Sequence, residues 1–422
     1  MRNWPPGANR KTRNCCGCAR GWRIRWCSRH GRGCGGALAP AGPMRCDGRM
    51  RIDRREFLAV LAAAPAAGQA KQAWLYIGAY TNEKNRGITA ARFDLSTGAI
   101  SDMILAAETP NPTFLEIHPN GRWLYAVNEI ANYEGKREGS ITAYEIDRGT
   151  GRLKELNRAS TQGGGPCHVS LDRTGRMAMI ANYGGGSVAS FRILEDGRVS
   201  GAVSFFQHEG SGANPKRQER PHAHSINATP DNRFAVACDL GTDEIVIYAI
   251  DPRKGAMRRH GAAKLAPGSG PRHFAFHPNG RFGYSVNELL STVTAFEYGN
   301  GTLKEIHTLS TLPEGFAAEN TTAEIRVHPS GRWLYASNRG EDSIAAFRID
   351  GRSGRLTRLG NTPTQGRTPR NFHIEPSGRW LLAANQRSDT VVVFEIDART
   401  GQLMPAKQGI TVGQPVCLRT VI

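Results

Sequence analysis

Residues 220–226 read RPHAHSI, which places an arginine and two histidines directly before a segment with the alternating apolar residues of a β-strand. An imidazole can take a proton from water near neutral pH, and a guanidinium binds carboxylate or phosphate oxygens through two parallel hydrogen bonds. Arginine or imidazolium can also stabilise a developing oxyanion. These residue types therefore favour a site for an anionic, oxygen-rich substrate, provided that the fold brings similar groups to the same place.

A repeat with a period near 50 residues follows the chain from residue 73 onward. Its clearest copies begin at His118, His328 and Glu375 and read HPNGRWLYAVNE, HPSGRWLYASNR and EPSGRWLLAANQ. The turn glycines or their equivalents fall at positions 121, 175, 232, 280, 331 and 378. Each turn leads into two strands with period-2 apolar patterning, and helical periodicity is almost absent. The pattern predicts an all-β fold, a seven-bladed β-propeller with four antiparallel strands per blade over residues 73–422, in which QPVCLRTVI at the end pairs with the first blade.

Polar residues recur at the start of the strand that precedes each turn, which lines the central channel of a propeller. Aligned on the turns, five blades contribute His168, His224, Arg272, His273, Glu324, Arg370 and Asn371. We expect these side chains to converge at one mouth of the channel as a concave binding site. The alignment leaves one question open at His224, which lies six residues before Pro230, whereas His273 lies five before Pro278. A local bulge could bring His224 into line; without one, Ser225 takes that place.

The sequence limits the chemistry of such a site. It contains no GxSxG nucleophile elbow, no HExxH zinc motif and no P-loop. The histidines have few carboxylates near them in the alignment, so we expect no metal. No basic run interleaved with aromatic residues follows residue 71, which argues against nucleic-acid binding.

The amino-terminal part of the chain differs in composition from the rest. Residues 1–55 contain 14 Lys/Arg and two Asp/Glu, a net of +12 out of +18 for the whole chain, and six of the nine cysteines lie in the first 46 residues. We expect residues 1–49 to be a non-native or disordered Arg/Cys-rich extension, with the true start at Met50. Residues 50–70 resemble a twin-arginine signal peptide, with Arg54–Arg55, a short apolar run and small residues. This predicts a periplasmic or secreted protein, or a cytoplasmic one if the segment is not a signal.

Several segments of the body resemble the lactonase family of seven-bladed β-propellers, which includes the propeller type of 6-phosphogluconolactonase. The resemblance covers residues 73–422 and rests on GPCHVSLDRTGR, NPKRQERPHAHSI, DLGTDEIVIY, GPRHFAFHPNGR, AEIRVHPSGRWLYASNRGEDSIAAF and PRNFHIEPSGRWLLAANQ. It implies hydrolysis of a sugar lactone without a required cofactor. It also implies that the pocket contains His168, Arg220, His222, His224, Arg272, His273, Glu324 and Arg370.

Within that set, we expect His168, Glu324 and His224 to be catalytic, with His168 and Glu324 the candidates for the general base. Substrate binding is expected from Arg220, His222, Arg272, His273, Arg370 and Asn371. The expected partner is a small anionic or polyhydroxylated lactone, with no nucleic acid and no membrane for a mature protein that is a monomer or weak dimer. Export disagrees with a phosphorylated cytosolic substrate, so the phosphate stays open. Two alternatives also stay open: a non-enzymatic propeller that binds an anionic ligand or a protein, and a muconate-type lactonising or isomerising enzyme.

Overall fold

The structure, a computed structural model, describes residues 72–422, which form 28 strands arranged in seven four-stranded antiparallel sheets. The first fourteen are β1 Gln72–Ala79, β2 Gly87–Asp94, β3 Ile100–Glu108, β4 Phe114–Ile117, β5 Trp123–Asn128, β6 Ser140–Ile146, β7 Leu153–Ser160, β8 Pro166–Leu171, β9 Met177–Asn182, β10 Ser187–Ile193, β11 Val199–Gln207, β12 Ala223–Ala228, β13 Phe234–Asp239 and β14 Glu244–Asp251. The second fourteen are β15 Ala256–Lys264, β16 Pro271–Phe276, β17 Phe282–Asn287, β18 Thr292–Gly299, β19 Thr302–Ser310, β20 Thr321–Val327, β21 Trp333–Arg339, β22 Ser343–Ile349, β23 Leu356–Pro363, β24 Pro369–Ile374, β25 Trp380–Asn385, β26 Thr390–Ile396, β27 Leu403–Thr411 and β28 Pro415–Val421. A short 3₁₀ turn, Gln386–Ser388, separates β25 from β26.

Each sheet is one propeller blade, and this confirms the seven-bladed fold. Six blades are built from four consecutive strands, whereas the seventh has the order β28-β1-β2-β3. Strand β28 pairs with β1 from Trp74 opposite Val421 to Ala79 opposite Pro415. The end of the chain therefore closes the ring, as the sequence predicts, and closure removes the two unpaired edges that an open ring would expose.

Burial changes from strand to strand across a blade in the way the sequence pattern requires. The second strands, such as β5 and β13, are buried along their whole length because neighbouring blades pack on both of their faces. An outer strand such as β11 alternates between buried or half-buried and exposed residues, since only one of its faces meets a neighbour.

The repeated turns need a left-handed backbone at one position. Gly121, Gly175, Gly280, Gly331 and Gly378 have φ between 65° and 78°, and Asn232, which replaces glycine in one repeat, has φ of 56°. Glycine and asparagine adopt this region at the lowest cost. The histidines that begin three of the turns each donate a hydrogen bond from Nε2 to the turn of the next blade: His118 to Gly175, His277 to Gly331 and His328 to Gly378, at 2.8–2.9 Å. The HP turns are therefore structural contacts between blades.

Two of the sequence-based expectations concern membranes and the amino-terminal residues. Within residues 72–422, no helix has the length and apolar character of a membrane span. The expectations for residues 1–49 and 50–70 concern a part of the chain outside the described residues.

Candidate functional site: two cavities in the propeller channel

A one-residue bulge interrupts the pairing at the start of five inner strands. Pairing skips one residue between Pro166 and His168, Ala223 and Ser225, Pro271 and His273, and Pro369 and Asn371, with a corresponding shift between Thr322 and Ile325. The bulge at His224 is therefore the same one that its neighbours have. His224 is equivalent to Cys167, Arg272 and Arg370, and Ser225 is equivalent to His273. A bulge changes the direction in which the side chain of its extra residue points. The side chains of two consecutive residues here therefore enter different parts of the channel.

The polar residues of the channel line two cavities rather than one mouth. The cavity that we call the upper cavity has a volume of about 330 Å³ and is lined by Tyr80, Glu129, Cys167, Tyr183, Arg217, His224, Glu288, Thr321, Arg339 and Arg370. The one that we call the lower cavity has about 230 Å³ and is lined by Glu116, His168, Asn227, His273, Phe274, Ala275, Phe276, Glu324, Ile325, Arg326, Val327 and Arg419. The predicted cluster is thus divided: His224 and Arg370 lie in the upper cavity, and His168, His273 and Glu324 in the lower one.

Guanidiniums surround one carboxylate in the upper cavity. Glu288 lies 2.5 Å from Arg217, 2.9 Å from Arg339 and 3.0 Å from Arg272, measured from nitrogen to oxygen. Burial opposes ionisation of Glu288, but the charges of Arg339, Arg272 and Arg217 outweigh it and lower its pKa to about 2. Glu288 is therefore a fixed anion that orients three arginines, and it is a poor proton acceptor.

Arg370 is the guanidinium of the upper cavity that keeps its charge unpaired. It forms no ion pair with any residue between 72 and 422, and its NH2 donates to the hydroxyl of Tyr80 at 3.3 Å. The Tyr80 hydroxyl in turn donates to Glu129 Oε1 at 2.8 Å. The other oxygen of Glu129, Oε2, has no hydrogen-bond partner in the described chain. Arg370 can therefore bind an oxyanion, and Glu129 keeps a free acceptor.

His224 is the imidazole of this cavity, and its environment keeps it neutral. Burial, followed by the charges of Arg272 and Arg370, lowers the pKa of His224 well below its ordinary value. Nδ1 lies 3.6 Å from Cys167 Sγ, whereas Nε2 makes no hydrogen bond to the residues described here. Tyr183 packs edge-on against His224, with ring centroids 5.2 Å apart. A neutral imidazole with a free Nε2 can accept a proton from water.

Glu324 and His168 are less suited than His224 to accept a proton: Glu324 is a carboxylate held by several donors, and His168 already accepts a hydrogen bond at Nδ1, so its neutral ring has its proton on Nε2. Glu324 accepts hydrogen bonds from the Ile325 amide at 3.0 Å, from Arg326 at 3.4 Å and from the Asn371 amide group. Burial opposes its ionisation, but the charge of Arg326 and the hydrogen bond from His273 lower its pKa. His168 accepts a hydrogen bond at Nδ1 from the Ile226 amide, 3.4 Å away, and packs against Phe114. This geometry favours an anchoring role for Glu324 and a packing role for His168.

A chain of contacts connects the two cavities through the layer between them. Glu324 accepts a hydrogen bond from His273 Nδ1 at 3.1 Å, and His273 Nε2 accepts one from Arg272 NH1 at 3.2 Å. Arg272 then pairs with Glu288. Burial, Arg272 and Arg326 lower the pKa of His273 to about 4 against the opposing charge of Glu324, so its ring is neutral and donates from Nδ1. Glu324 and His273 of the lower cavity therefore fix the orientation of Arg272, and Arg272 in turn fixes that of Glu288.

Four of the predicted residues line neither cavity: Arg272, which pairs with Glu288 in the layer between the cavities, and Arg220, His222 and Asn371. The Arg220 side chain is 55% exposed, lies 3.5 Å from Glu219 and donates to the Gly184 carbonyl. His222 stacks on Tyr183 with ring centroids 4.5 Å apart and thereby supports that wall of the upper cavity. Asn371 is buried and holds Glu324.

Most of the remaining upper-cavity residues follow the second strand of a blade, a position that the alignment of the first strands leaves out. Tyr80, Glu129, Tyr183 and Glu288 come directly after β1, β5, β9 and β17, and Arg339 is the last residue of β21. Four of them follow an asparagine in the repeated sequences VNE, ANY, VNE and SNR. The sequence does contain a signal for these residues: in each of these repeats, the position directly after the asparagine is polar and its residue type varies.

The described chain contains no group of three or more His, Cys, Asp or Glu residues with a geometry that could hold a metal ion. Its cysteines, Cys167, Cys238 and Cys417, are buried and unpaired.

Comparison with known proteins identifies the family. A family description, "Lactonase, 7-bladed beta-propeller", matches residues 74–420. The chain belongs to this lactonase family. Among its relatives within the lactonase family, the 6-phosphogluconolactonase of Bacillus subtilis is 37% identical over 299 residues, which are 70% of this chain and 83% of that protein. The 6-phosphogluconolactonase of Formosa agariphila is 36% identical over 307 residues, 71% of this chain and 85% of the relative. The structure of the periplasmic gluconolactonase of Pseudomonas aeruginosa superposes with a TM-score of 0.79 at 34% identity, covering 83% of this chain and 99% of the other.

Proposed function

We propose that this protein is a lactone hydrolase that opens the ester ring of a sugar lactone in the upper cavity. The observation that carries the proposal is the neutral imidazole of His224, whose free Nε2 shares the cavity with the unpaired guanidinium of Arg370. The names of the relatives from Bacillus, Formosa and Pseudomonas support the same reaction.

The residues of the upper cavity suit each step of that reaction. His224 Nε2 takes a proton from water while the water oxygen attacks the lactone carbonyl carbon. Arg370 stabilises the oxyanion that forms on the carbonyl oxygen, where a charged hydrogen bond is strongest. The bond between the carbonyl carbon and the ring oxygen then breaks, and the ring oxygen takes the proton to become a hydroxyl group. The product is a hydroxy acid.

The proposal is tested by following acid release in a pH-stat from δ-gluconolactone and from its 6-phosphate. The wild-type rate must exceed the rate in buffer alone. His224→Gln should lower kcat about 10²- to 10⁴-fold, the range for a general base. Arg370→Met should lower it about 10²- to 10³-fold, the range for an oxyanion donor. His260→Gln, in an exposed position of the outer strand β15, serves as the matched control.

The outcomes separate the alternatives. Full activity in His224→Gln with loss in Glu129→Gln would transfer the role of base to Glu129, whose Oε2 is free. No acceleration by the wild-type protein on either lactone would contradict the hydrolase. Formation of a lactone from an unsaturated dicarboxylate would instead indicate a lactonising enzyme.

We also propose that the protein is exported. Support comes from Arg54–Arg55 and the short apolar run after them, and from the periplasmic description of the Pseudomonas relative. Substitution of both arginines by lysine should retain the protein in the cytoplasm, and amino-terminal sequencing of the wild-type protein from the periplasm should begin after Ala66 or Ala70. Recovery of the wild-type protein in the cytoplasm with an uncleaved leader would contradict export.

A further inference from the structure

The segment 208–222, which connects β11 with β12, brings Arg217 to the upper cavity. Between Glu209 and Arg220 every residue except Gln218 is exposed or half-buried, whereas Gln218 has 0% exposure. A buried amide group is costly unless its donors and its acceptor form hydrogen bonds. Gln218, the neighbour of Arg217 in the chain, is therefore the residue at which this segment is attached to the body of the propeller.

The amide group of Gln218 forms hydrogen bonds through both its nitrogen and its oxygen. Nε2 donates to the Leu240 carbonyl at 2.8 Å and to Asp243 Oδ1 at 2.7 Å, and Oε1 accepts one from the Asn214 amide at 2.8 Å. The backbone amides of Gln218 and Arg217 both donate to the Asn214 carbonyl, at 2.7 and 3.2 Å. Gln218 thus closes a turn that contains Arg217 and binds that turn to Asp243.

Asp243 connects this turn to Glu288, the carboxylate with which Arg217 pairs. Oδ1 of Asp243 also accepts a hydrogen bond from the Gly270 amide at 2.7 Å, and the Gly270 carbonyl accepts one from the Glu288 amide at 2.7 Å. Oδ2 accepts one from the Gly268 amide at 2.7 Å. Asp243 is buried and lines neither cavity. One carboxylate therefore holds both the turn that carries Arg217 and the backbone that carries Glu288.

An equivalent aspartate in another blade shows what Asp243 adds. Asp389 directly precedes β26 as Asp243 directly precedes β14, and both have a left-handed backbone, with φ of 55° and 57°. Asp389 Oδ1 also accepts a hydrogen bond from an amide of the next blade, that of Gln414 at 2.9 Å, and Oδ2 pairs with the exposed Lys84. The bond to the next blade is thus repeated, and Asp243 combines it with the bond to Gln218.

We propose that Asp243 and Gln218 are positioning residues for hydrolysis, which together hold the guanidinium of Arg217 at Glu288 on the wall of the upper cavity. This inference rests on the proposed function, because Arg217 acts on the lactone that binds there. The Arg217 side chain is long and 38% exposed, so a fixed turn orders it before the substrate binds. Ordering it in advance removes an entropic cost from binding, and the effect should therefore appear mainly in KM.

The kinetic test begins with Gln218→Met, which keeps the length of the side chain and removes its hydrogen bonds. We expect kcat/KM on whichever of δ-gluconolactone and its 6-phosphate is hydrolysed to fall about 3- to 10-fold, comparable to one lost hydrogen bond, mainly through KM. Gln402→Met, in an exposed turn, should keep the wild-type value. Asp243→Asn should act like Gln218→Met, since asparagine tolerates the left-handed backbone but has one acceptor fewer. Asp389→Asn, with the same backbone conformation, is its matched control.

Coupling to Arg217 separates positioning from a general loss of stability. In an Arg217→Met background, Gln218→Met should lower kcat/KM by less than about twofold, because no guanidinium remains to be positioned. An equal loss with and without Arg217 would overturn the inference. Wild-type kcat/KM in both Gln218→Met and Asp243→Asn would overturn it as well.

Limited proteolysis tests the same attachment without catalysis. Trypsin cleaves after Lys216 and Arg217, and the bonds of Gln218 should protect this turn in the wild-type protein. Gln218→Met and Asp243→Asn should raise the rate of cleavage here about 3- to 10-fold relative to cleavage after Lys136, which lies in an exposed loop between β5 and β6. An unchanged ratio would show that these residues do not hold the turn. If the wild type hydrolyses no lactone, the proposed function fails, and this ratio still decides whether Gln218 and Asp243 hold the turn that carries Arg217.

Discussion

At the residue scale, the bulge at the start of the inner strands determines which cavity a side chain reaches. The extra residue of a bulge reaches the upper cavity at Cys167, His224 and Arg370, and the residue after it reaches the lower cavity at His168 and His273. Two adjacent polar residues can thus have different roles. The first lines the upper cavity, where we propose that the substrate binds, and the second lies among the lower-cavity residues that hold the upper cavity in place.

The pH dependence of hydrolysis follows from the environment of His224. A base must be neutral to act, and burial with the neighbouring cations lowers the pKa of His224 well below its ordinary value. We therefore expect kcat/KM, corrected for the buffer rate, to stay constant as the pH falls from about 7.5 through about 6.5, where a solvated histidine would lose activity. Initial rates in the pH-stat across this range measure it. A decline centred near 6.5 would show that the base is a solvated histidine.

The connection from Glu324 through His273 to Arg272 makes Glu324 a positioning residue for the upper cavity. Glu324→Gln removes the charge that fixes the Nδ1–H tautomer of His273, so Arg272 loses a defined acceptor. We expect kcat to fall about tenfold, roughly one charge-assisted hydrogen bond, with little change in KM. Glu116→Gln, which loses its pair with Arg419 in the same lower cavity, is the control. Unchanged kcat in Glu324→Gln, or an equal loss in both variants, would argue against this connection.

At the element scale, one backbone position before the inner strand is left-handed in three blades. It is occupied by Gly165, Gly270 and Thr368, with φ of 57°, 61° and 60°. A β-branched residue rarely adopts this region. Thr368 is held there by the hydrogen bond of its amide to Asp342.

Substitutions at this position should have opposite effects in two blades. A Cβ at residue 270 would lie 2.6 Å from Leu289 Cγ, in addition to the strain of a positive φ. Gly270→Ala should therefore lower the free energy of unfolding by about 2–4 kcal/mol. Thr368→Gly should leave it unchanged or raise it by up to about 1 kcal/mol, because relief of strain exceeds the entropy of glycine. Urea unfolding of both variants measures these changes; a larger loss in Thr368→Gly than in Gly270→Ala would be inconsistent with them.

The repeat of about 50 residues predicts the strands and turns of the blades, but it does not predict every residue of the candidate site. Turn residues and alternating apolar residues are local signals, so the strands, the turns and the aligned inner positions could be predicted. The direction of each side chain depends on the bulges, which depend on pairing with a second strand. Arg217, by contrast, comes from the connection between β11 and β12, which has no counterpart in the repeat. Aligning the internal repeats on their turns therefore includes His224 and Arg370 of the upper cavity but cannot include Arg217.

At the scale of the whole molecule, closure by β28 brings distant parts of the chain into the channel. Arg419 in β28 pairs with Glu116 in β4 at 3.2 Å, and Asn371 in β24 accepts a hydrogen bond from the Leu418 amide at 3.0 Å. The layer between the cavities is thus held by the same ring closure that seals the propeller. Its polar groups are buried, so the stability of the ring depends on their protonation.

The buried imidazoles of the channel, His168, His224 and His273, lead us to expect that the folded state loses stability as the pH falls below about 6.5, the ordinary pKa of histidine. Burial lowers the pKa of His273 to about 4 and the pKa values of His168 and His224 well below the ordinary value. Between these folded values and 6.5, the unfolded chain binds more protons than the folded one, so stability rises with pH in this window. Each histidine contributes a slope of up to about 1.4 kcal/mol per pH unit. Urea unfolding at pH steps from about 7.5 to about 4.5 should show the decline, and His168→Gln should reduce the slope by about one proton, whereas the exposed His260→Gln should not. A slope that is the same in all three proteins would mean that His168 titrates equally in the folded and unfolded states.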